Sequence, residues 1–237
     1  MGRVMRSTTL SSSKPVKRRT RKPARAAGST YDRFLDATEA LFAQHGYEAT
    51  TIRGIAQESA CNLGDLHRYW GNKAALFADM LKRAFQPLDA KRQLALDALT
   101  RKEEKGEPVP VEAVLDAFIR PALIWSRLPR QGGVSFRQLF SRALTEPASE
   151  VVDVMAEIFV DSSTKFLTLL GKHARIGDPE AFYWRVSCVI GAFIFTQFDP
   201  ATKTKFFGSA QPADWERALH EIVSFLAAGL RAPISPG

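Results

Sequence analysis

The sequence predicts an all-α chain in which a short set of compact helices is followed by a larger set of long ones. Three observations carry that expectation. Apolar residues recur at three-and-four spacing from Tyr31 onward, and no strand-type alternation persists anywhere in the 237 residues. Three N-cap residues, Thr50, Asn62 and Asn72, fall within 23 residues, which marks three helix starts in quick succession. Further on, Pro179 to Phe198 is apolar around most of its circumference, as a helix buried on several sides must be.

Residues 1–28 are expected to form a disordered basic tail. Up to Thr30 there are nine basic residues and no acidic one, leaving 24 basic against 25 acidic in the remainder, so the formal net charge of +8 belongs to the tail. Its Ser-, Pro-, Lys- and Arg-rich composition has almost nothing to bury. Three readings stay open: a solvated tail, an arm drawn to nucleic-acid phosphates, or an organelle transit peptide. No signal-peptide run precedes it, and the best membrane-span candidate, Val186 to Phe198, is short and broken by Ser187, Thr196 and Gln197. A soluble, cytoplasmic protein without membrane contact is expected. Cys61 and Cys188 form no CxxC and read as small buried hydrophobes, and the four scattered His residues assemble no metal site; no cofactor is expected.

The first helix should run from Thr30 to about Gln44, with Tyr31, Phe34, Leu35, Leu41 and Phe42 on one face, Ser29 and Asp32 as a capping box, and the Gly of "HGY" ending it. Thr50 reads as the N-cap of a second helix whose apolar side is Ile52, Ile55 and Ala56. Asn62 caps a third, with Asp65 at its third position; Leu63, Leu66 and Trp70 form its buried stripe, while Gly64, Asp65, His67 and Arg68 take the rest of the circumference. Asn72 starts a longer helix with Ala75, Leu76, Phe77, Met80 and Leu81 apolar. Lys73 lies in its first turn, where a cation opposes the helix dipole, so an anion nearby is expected. Two helices joined by a tight turn make a helix-turn-helix, whose second helix can enter the major groove of DNA. A helical bundle without nucleic acid is the alternative.

Tyr31 to about Leu81 resembles the N-terminal DNA-binding domain of the TetR family of bacterial transcriptional regulators. The segments that carry the resemblance are "LFAQHGYEATTIRGIAQESA", "CNLGDLHRYW" and "GNKAALF". Where the family often has Gly-Val in the turn, this chain has Ala60 and Cys61; His67 and Tyr69 stand as if the family's usual aromatic and His had exchanged, and Asp65 replaces a usual Thr or Ser. The resemblance implies phosphate contacts from Thr50, Thr51, Arg53, His67, Tyr69 and Lys73, and base contacts from the Asn62 to Arg68 face, with Leu63, Gly64 and Asp65 among them. Asp65 reads either as a cap partner or as an acceptor for cytosine N4, and Leu63 either as core or as a thymine-methyl contact.

The expected boundaries are a tail over 1–28, a helix-turn-helix domain over 29–82, and a helical ligand-binding and dimerisation domain over 83–232. In the last, helices are expected near Leu81–Leu99 with a kink at Pro87, then Val111–Arg127, Val134–Leu144, Ala148–Lys172, Pro179–Phe198 and Ala213–Leu230, with "TRKEEKGEPVP" as a charged linker. The resemblance implies a homodimer built from the last two helices, here through Phe182, Trp184, Val189, Phe193, Trp215, Leu219, Ile222 and Leu226; a monomeric core is the alternative. It also implies a small-molecule effector that releases a palindromic operator of double-stranded DNA. Candidate ligand residues are Phe118, Trp125, Phe136, Phe140, Phe159 and Phe166, with Arg137 or Arg142 holding the carboxylate of an apolar acid. An enzyme is disfavoured, because the chain has no Gly-rich phosphate loop, GxSxG, HExxH or carboxylate pair beside a His. A nonspecific, tail-driven architectural DNA-binding protein is the remaining rival.

Overall fold

The computed structural model describes residues 28–128, 134–198, 200–208 and 214–233, and among these every regular element is a helix. The expected tail lies outside the described residues, apart from Gly28. The elements are α1 (Thr30–Ala49), α2 (Ile52–Ser59), α3 (Leu63–Trp70), α4 (Lys73–Glu104), α5 (Val111–Trp125), α6 (Phe136–Thr145), α7 (Ser149–Ala174), α8 (Pro179–Thr196), α9 (Pro200–Phe207) and α10 (Trp215–Arg231).

Helix starts follow the side chains that satisfy the open N–H groups of a first turn. Ser29 accepts from Asp32 N–H at 3.1 Å, Asn62 from Gly64 N–H at 2.8 Å and Asn72 from Ala75 N–H at 2.8 Å. The second start differs from expectation by one residue: Thr51 is the N-cap, accepting from Gly54 N–H at 3.0 Å. Thr50 instead closes α1, its hydroxyl donating to the Gly46 carbonyl at 2.7 Å. Gly46 sits inside α1 at φ 79 and ψ −178, a backbone conformation open essentially only to glycine, and breaks the helix there before one more turn of chain.

α4 is one continuous helix of 32 residues that includes the expected Leu81–Leu99 stretch and carries Pro87 in its interior. Phe85 and Leu88, both fully buried, hold the proline's turn in place from the packed side. The first five residues of the expected charged linker, Thr100 to Glu104, form the last turn of α4, tied down where Glu103 meets Lys172 at 3.1 Å. α9 was not expected, and the start expected at Ala213 lies outside the described residues; the last helix is described from Trp215. The core joins both units: α4 packs against α1 at its beginning and against α5 and α7 further along. Arg83 clamps α1 to α4 through Asp36 at 2.8 Å and Glu39 at 3.3 Å. Two ion pairs bridge α5 and α10, Arg120 to Glu216 at 2.9 Å and Arg231 to Glu112 at 2.5 Å.

The cysteines do not behave as expected of two buried hydrophobes. Cys61 is half-buried and Cys188 is exposed, on the side of α8 turned away from its own core.

Candidate functional site

α3 has a buried side and an open side. Leu66 is fully buried, with Leu63 and Trp70 packed partly against the core. Trp70 stacks on Tyr31 with ring centroids 4.8 Å apart, and its indole N–H donates to Asp79 of α4 at 2.7 Å. The Tyr31 hydroxyl donates to the same carboxylate oxygen, and that bond holds its proton, pushing its pKa up to about 12. One acid of α4 thus fixes α3 and α1 together.

The turn between α2 and α3 is secured from α1. Ala60 adopts a left-handed conformation, φ 51 and ψ 39, which favours glycine over a residue with a β-carbon. The Arg33 guanidinium donates to the Ser59 carbonyl at 2.6 Å and to that of Ala60 at 2.7 Å, satisfying the open end of α2. Arg33 was not singled out from sequence, since nothing local marks an arginine 26 residues before its acceptor.

Asn62, Gly64, His67, Arg68 and Tyr69 form the open face of α3, and Thr51 and Arg53 are exposed at the start of α2. Asp65 is half-buried and pairs with Arg68 at 3.1 Å, so its carboxylate already has a partner within the helix. His67 Nδ1 lies 3.2 Å from the Gly71 carbonyl. Thr50, expected at a phosphate, has its hydroxyl engaged internally and is only 1% exposed. Lys73 also has internal partners: its ammonium lies 3.5 Å from the Glu48 carbonyl and 4.0 Å from the centre of the Tyr47 ring. The carbonyl end and ring of α1 offset part of the unfavourable placement of Lys73 at a helix N-terminus.

The same segment meets the larger unit. Glu146, at the C-terminal end of α6, is buried and accepts from the Tyr47 backbone N–H at 3.1 Å. A β-carbon on Gly46 would stand 2.8 Å from that carboxylate oxygen. Gly46 to Thr50 is therefore held by α6 on one side and by the start of α4 on the other.

Comparison with known proteins agrees with this geometry. Residues 34–80 match the model of bacterial regulatory proteins of the tetR family, and residues 116–229 match the tetracyclin repressor-like C-terminal domain. The HTH-type transcriptional repressor KstR of Mycobacterium tuberculosis is 41% identical over 155 residues, covering 57% of this chain and 70% of that protein. KstR of Rhodococcus jostii is 30% identical over 153 residues, covering 57% of this chain and 72% of that protein. The chain belongs to the TetR family. Among solved structures, a tetR-family regulatory protein from Rhodococcus RHA1 superposes with a TM-score of 0.58 at 15% identity, covering 88% of this chain and all of that one. The fatty acid degradation regulator FadR of Bacillus halodurans superposes with a TM-score of 0.54 at 15% identity, over 88% and 100%. These likenesses establish the shared fold. The TetR family is one of DNA-binding regulators, not enzymes, and the chain is a TetR-type helix-turn-helix transcriptional regulator resembling repressors.

In the TetR-type C-terminal domain the expected ligand residues are mostly packed on one another. Phe118 stacks on Phe166 at 4.2 Å and Phe136 on Phe140 at 5.3 Å; all four are buried, while Phe159 and Trp125 are half-buried. Arg142 stands at the junction with α1, lining a small groove with Ala43, Gln138 and Phe198 rather than the aromatic cluster, and Arg137 is half-buried on α6. The basic residue that the cluster does enclose is Arg92 of α4, which was not singled out because it sits among surface-like residues in the sequence. It is 2% exposed, its Nε donates to the Phe118 carbonyl at 3.0 Å, and burial pushes its pKa down to about 9.

The expected dimer residues divide. Val189, Phe193, Leu219 and Leu226 are buried inside the subunit; Phe182, Trp215 and Ile222 pack partly against that core, and Trp184 alone of the eight is exposed, at 60%. A helix apolar all round gives no sign of which side meets its own subunit, and the periodicity of α8 could not separate the two. The open face includes Trp184, Cys188, Gly191 and Phe195 on α8, at four-three-four spacing, with Tyr183 and Ser187 beside them and Phe225 at 75% on α10. Among the described residues no helix is long and apolar enough to cross a membrane, and no three metal-ligating side chains gather.

Proposed function

We propose that this chain is a homodimeric, effector-released repressor that reads a palindromic operator with the open face of α3. The observation that carries the reading is that face itself: Asn62, Gly64, His67, Arg68 and Tyr69 project outward from a helix whose other side is locked by Leu66, Trp70 and Asp79. A short helix anchored on one side and polar on the other suits the major groove. Thr51 and Arg53 suit the flanking phosphates, and Lys73 reinforces them through the field it adds to this end of the molecule. The DNA-binding unit is residues 29–82 and the effector and dimer unit 83–232, with residues 1–28 supplying a nonspecific attraction to the duplex in the cytoplasm. The repressor names of the KstR relatives favour release rather than activation as the outcome of effector binding.

A twofold mate covers the open face of α8 and α10 and sets the two recognition helices about one DNA turn apart. The unbroken α4 links an effector held among Phe118, Phe159 and Phe166 to the spacing of the recognition helices, and the Glu146 bond to Tyr47 adds a second link. An effector acts only through its difference in affinity for the two arrangements.

The test is selection from random duplex DNA at physiological salt with excess nonspecific competitor. Enrichment of a palindrome with two half-sites is expected. Retention of DNA without any motif would replace this reading with that of the architectural protein, and deleting residues 1–28 would then abolish binding instead of only flattening its salt dependence.

A further inference from the structure

The rings of Phe118, Phe159 and Phe193 surround the Arg92 guanidinium, whose carbon lies 4.2, 5.4 and 4.9 Å from their respective centres. Of its donors, Nε is satisfied by the Phe118 carbonyl, whereas the buried Nη2 has no hydrogen-bond partner. Asp89, one turn earlier on α4, attracts Arg92 through space but makes no direct bond to it. One of its oxygens accepts from Gln93 at 2.6 Å, the other is itself without a partner, and no ion pair to Arg92 forms among the described residues.

A cation in this position is costly to the fold. Aromatic faces offset part of the lost hydration, yet an unpaired buried charge is normally less stable than an apolar side chain of similar volume. An arginine kept here needs a use. Its planar fork fits a carboxylate, and three aromatic rings enclose it, with Asp89 the charged group nearby, so what it holds is an anion at the end of an apolar body.

We propose that Arg92 is the anchor of the effector site, pairing through its free Nη2 with the carboxylate of an elongated apolar acid whose body lies against Phe118, Phe159 and Phe193. This rests on the effector reading above and transfers the carboxylate from Arg137 or Arg142 to Arg92. Phe159 is the half-buried wall of the cage, the side from which a ligand enters. With Phe118 stacked on Phe166, the cage is closed, and an acid binds by parting α4 from α5 and α7. Preference for that parted arrangement is what couples the acid to the rest of α4.

The experiment measures binding of straight-chain and aryl carboxylic acids, with the matching primary alcohols and methyl esters, to the full chain by calorimetry and thermal shift at neutral pH. The wild type is expected to take at least one acid about tenfold or more tightly than its alcohol and ester. Arg92→Met should bind acid and alcohol alike, at the wild-type alcohol affinity, while melting higher without ligand. Two results overturn the proposal: no acid preferred over its alcohol by the wild type, or a full acid preference kept by Arg92→Met. Should Arg92→Met not fold, a crystal structure of the wild type with its best acid decides, a carboxylate on Arg92 supporting the proposal and one elsewhere overturning it. A chain that enriches a palindrome but ignores acids loses this inference alone. One that holds acids on Arg92 without enriching a palindrome loses only the reading of function.

Discussion

Ala60 turns the chain from α2 into α3 in a left-handed conformation that costs a residue with a β-carbon roughly 1–2 kcal/mol. Its side chain is exposed, so nothing packed is lost on removing it. Ala60→Gly should therefore stabilise the protein by about 0.5–1 kcal/mol after the added freedom of glycine in the unfolded chain is set against the relief. In a chain of this size that is a rise of about 1–4 °C in Tm, and a fall in a thermal melt would show that the methyl group has a contact of value. Gly46 is the opposite case, since alanine there combines φ 79 with a β-carbon 2.8 Å from the Glu146 carboxylate. Tyr31 permits a pH test. Its bond to Asp79 lifts its pKa from about 10 to about 12, so the folded state keeps the proton more tightly than the unfolded one does. The resulting stability is complete below pH ~10 and disappears as pH rises through ~12. Tyr31→Phe should cost about 1–2 kcal/mol at neutral pH. Urea midpoints of wild type and variant should converge across that alkaline window, and a constant gap would mean that the hydroxyl's contribution does not depend on its proton.

Between elements, Glu146 connects the C-terminal end of α6 to the kink of α1 across 99 residues of sequence. Glu146→Ala leaves the Tyr47 N–H buried without an acceptor, a loss of roughly 1–3 kcal/mol. If this bond helps carry the effector's signal, the variant should still bind operator, and an effector that frees the wild type from DNA should free it less. A response unchanged in a gel-shift titration would leave the signal to α4 alone. Such a bond is invisible in the sequence, because neither Glu146 nor Tyr47 announces a partner so far away. What was legible was local: Ser29, Asn62 and Asn72 each close a first turn with a side chain two or three residues from its donor. Thr50 and Thr51 are the instructive failure. Both are good N-caps, and the choice between them is made by the Gly46 break, which draws the Thr50 hydroxyl back into α1. The buried stripe of α3 was legible from period alone, whereas Arg33, which closes the turn before it, needed the packing of α1 on α2.

For the whole molecule, period failed where α8 is apolar on every side. Val189 and Phe193 satisfy the subunit's own core, and what remains outside includes the row of Trp184, Cys188, Gly191 and Phe195, beside Phe225 of α10. Exposed aromatics grouped in this way mark an association surface rather than ordinary solvent-facing residues. The proposed dimer meets through it, and an isologous interface meets every substitution twice. Phe225→Glu is informative because Phe225 is 75% exposed in the subunit, so the change leaves the core of α10, Leu219, Val223 and Leu226, untouched. Helix content by circular dichroism should stay at the wild-type level. Dimer association should weaken, Kd rising about a hundredfold, ~2.7 kcal/mol, as read by sedimentation equilibrium. Operator binding should then fall at concentrations where the wild type is dimeric and recover as protein is added, because a single recognition helix holds only half a palindrome. A variant that stays dimeric, with operator affinity unchanged, would place the twofold axis on some other face, and the spacing of the recognition helices would need a different origin.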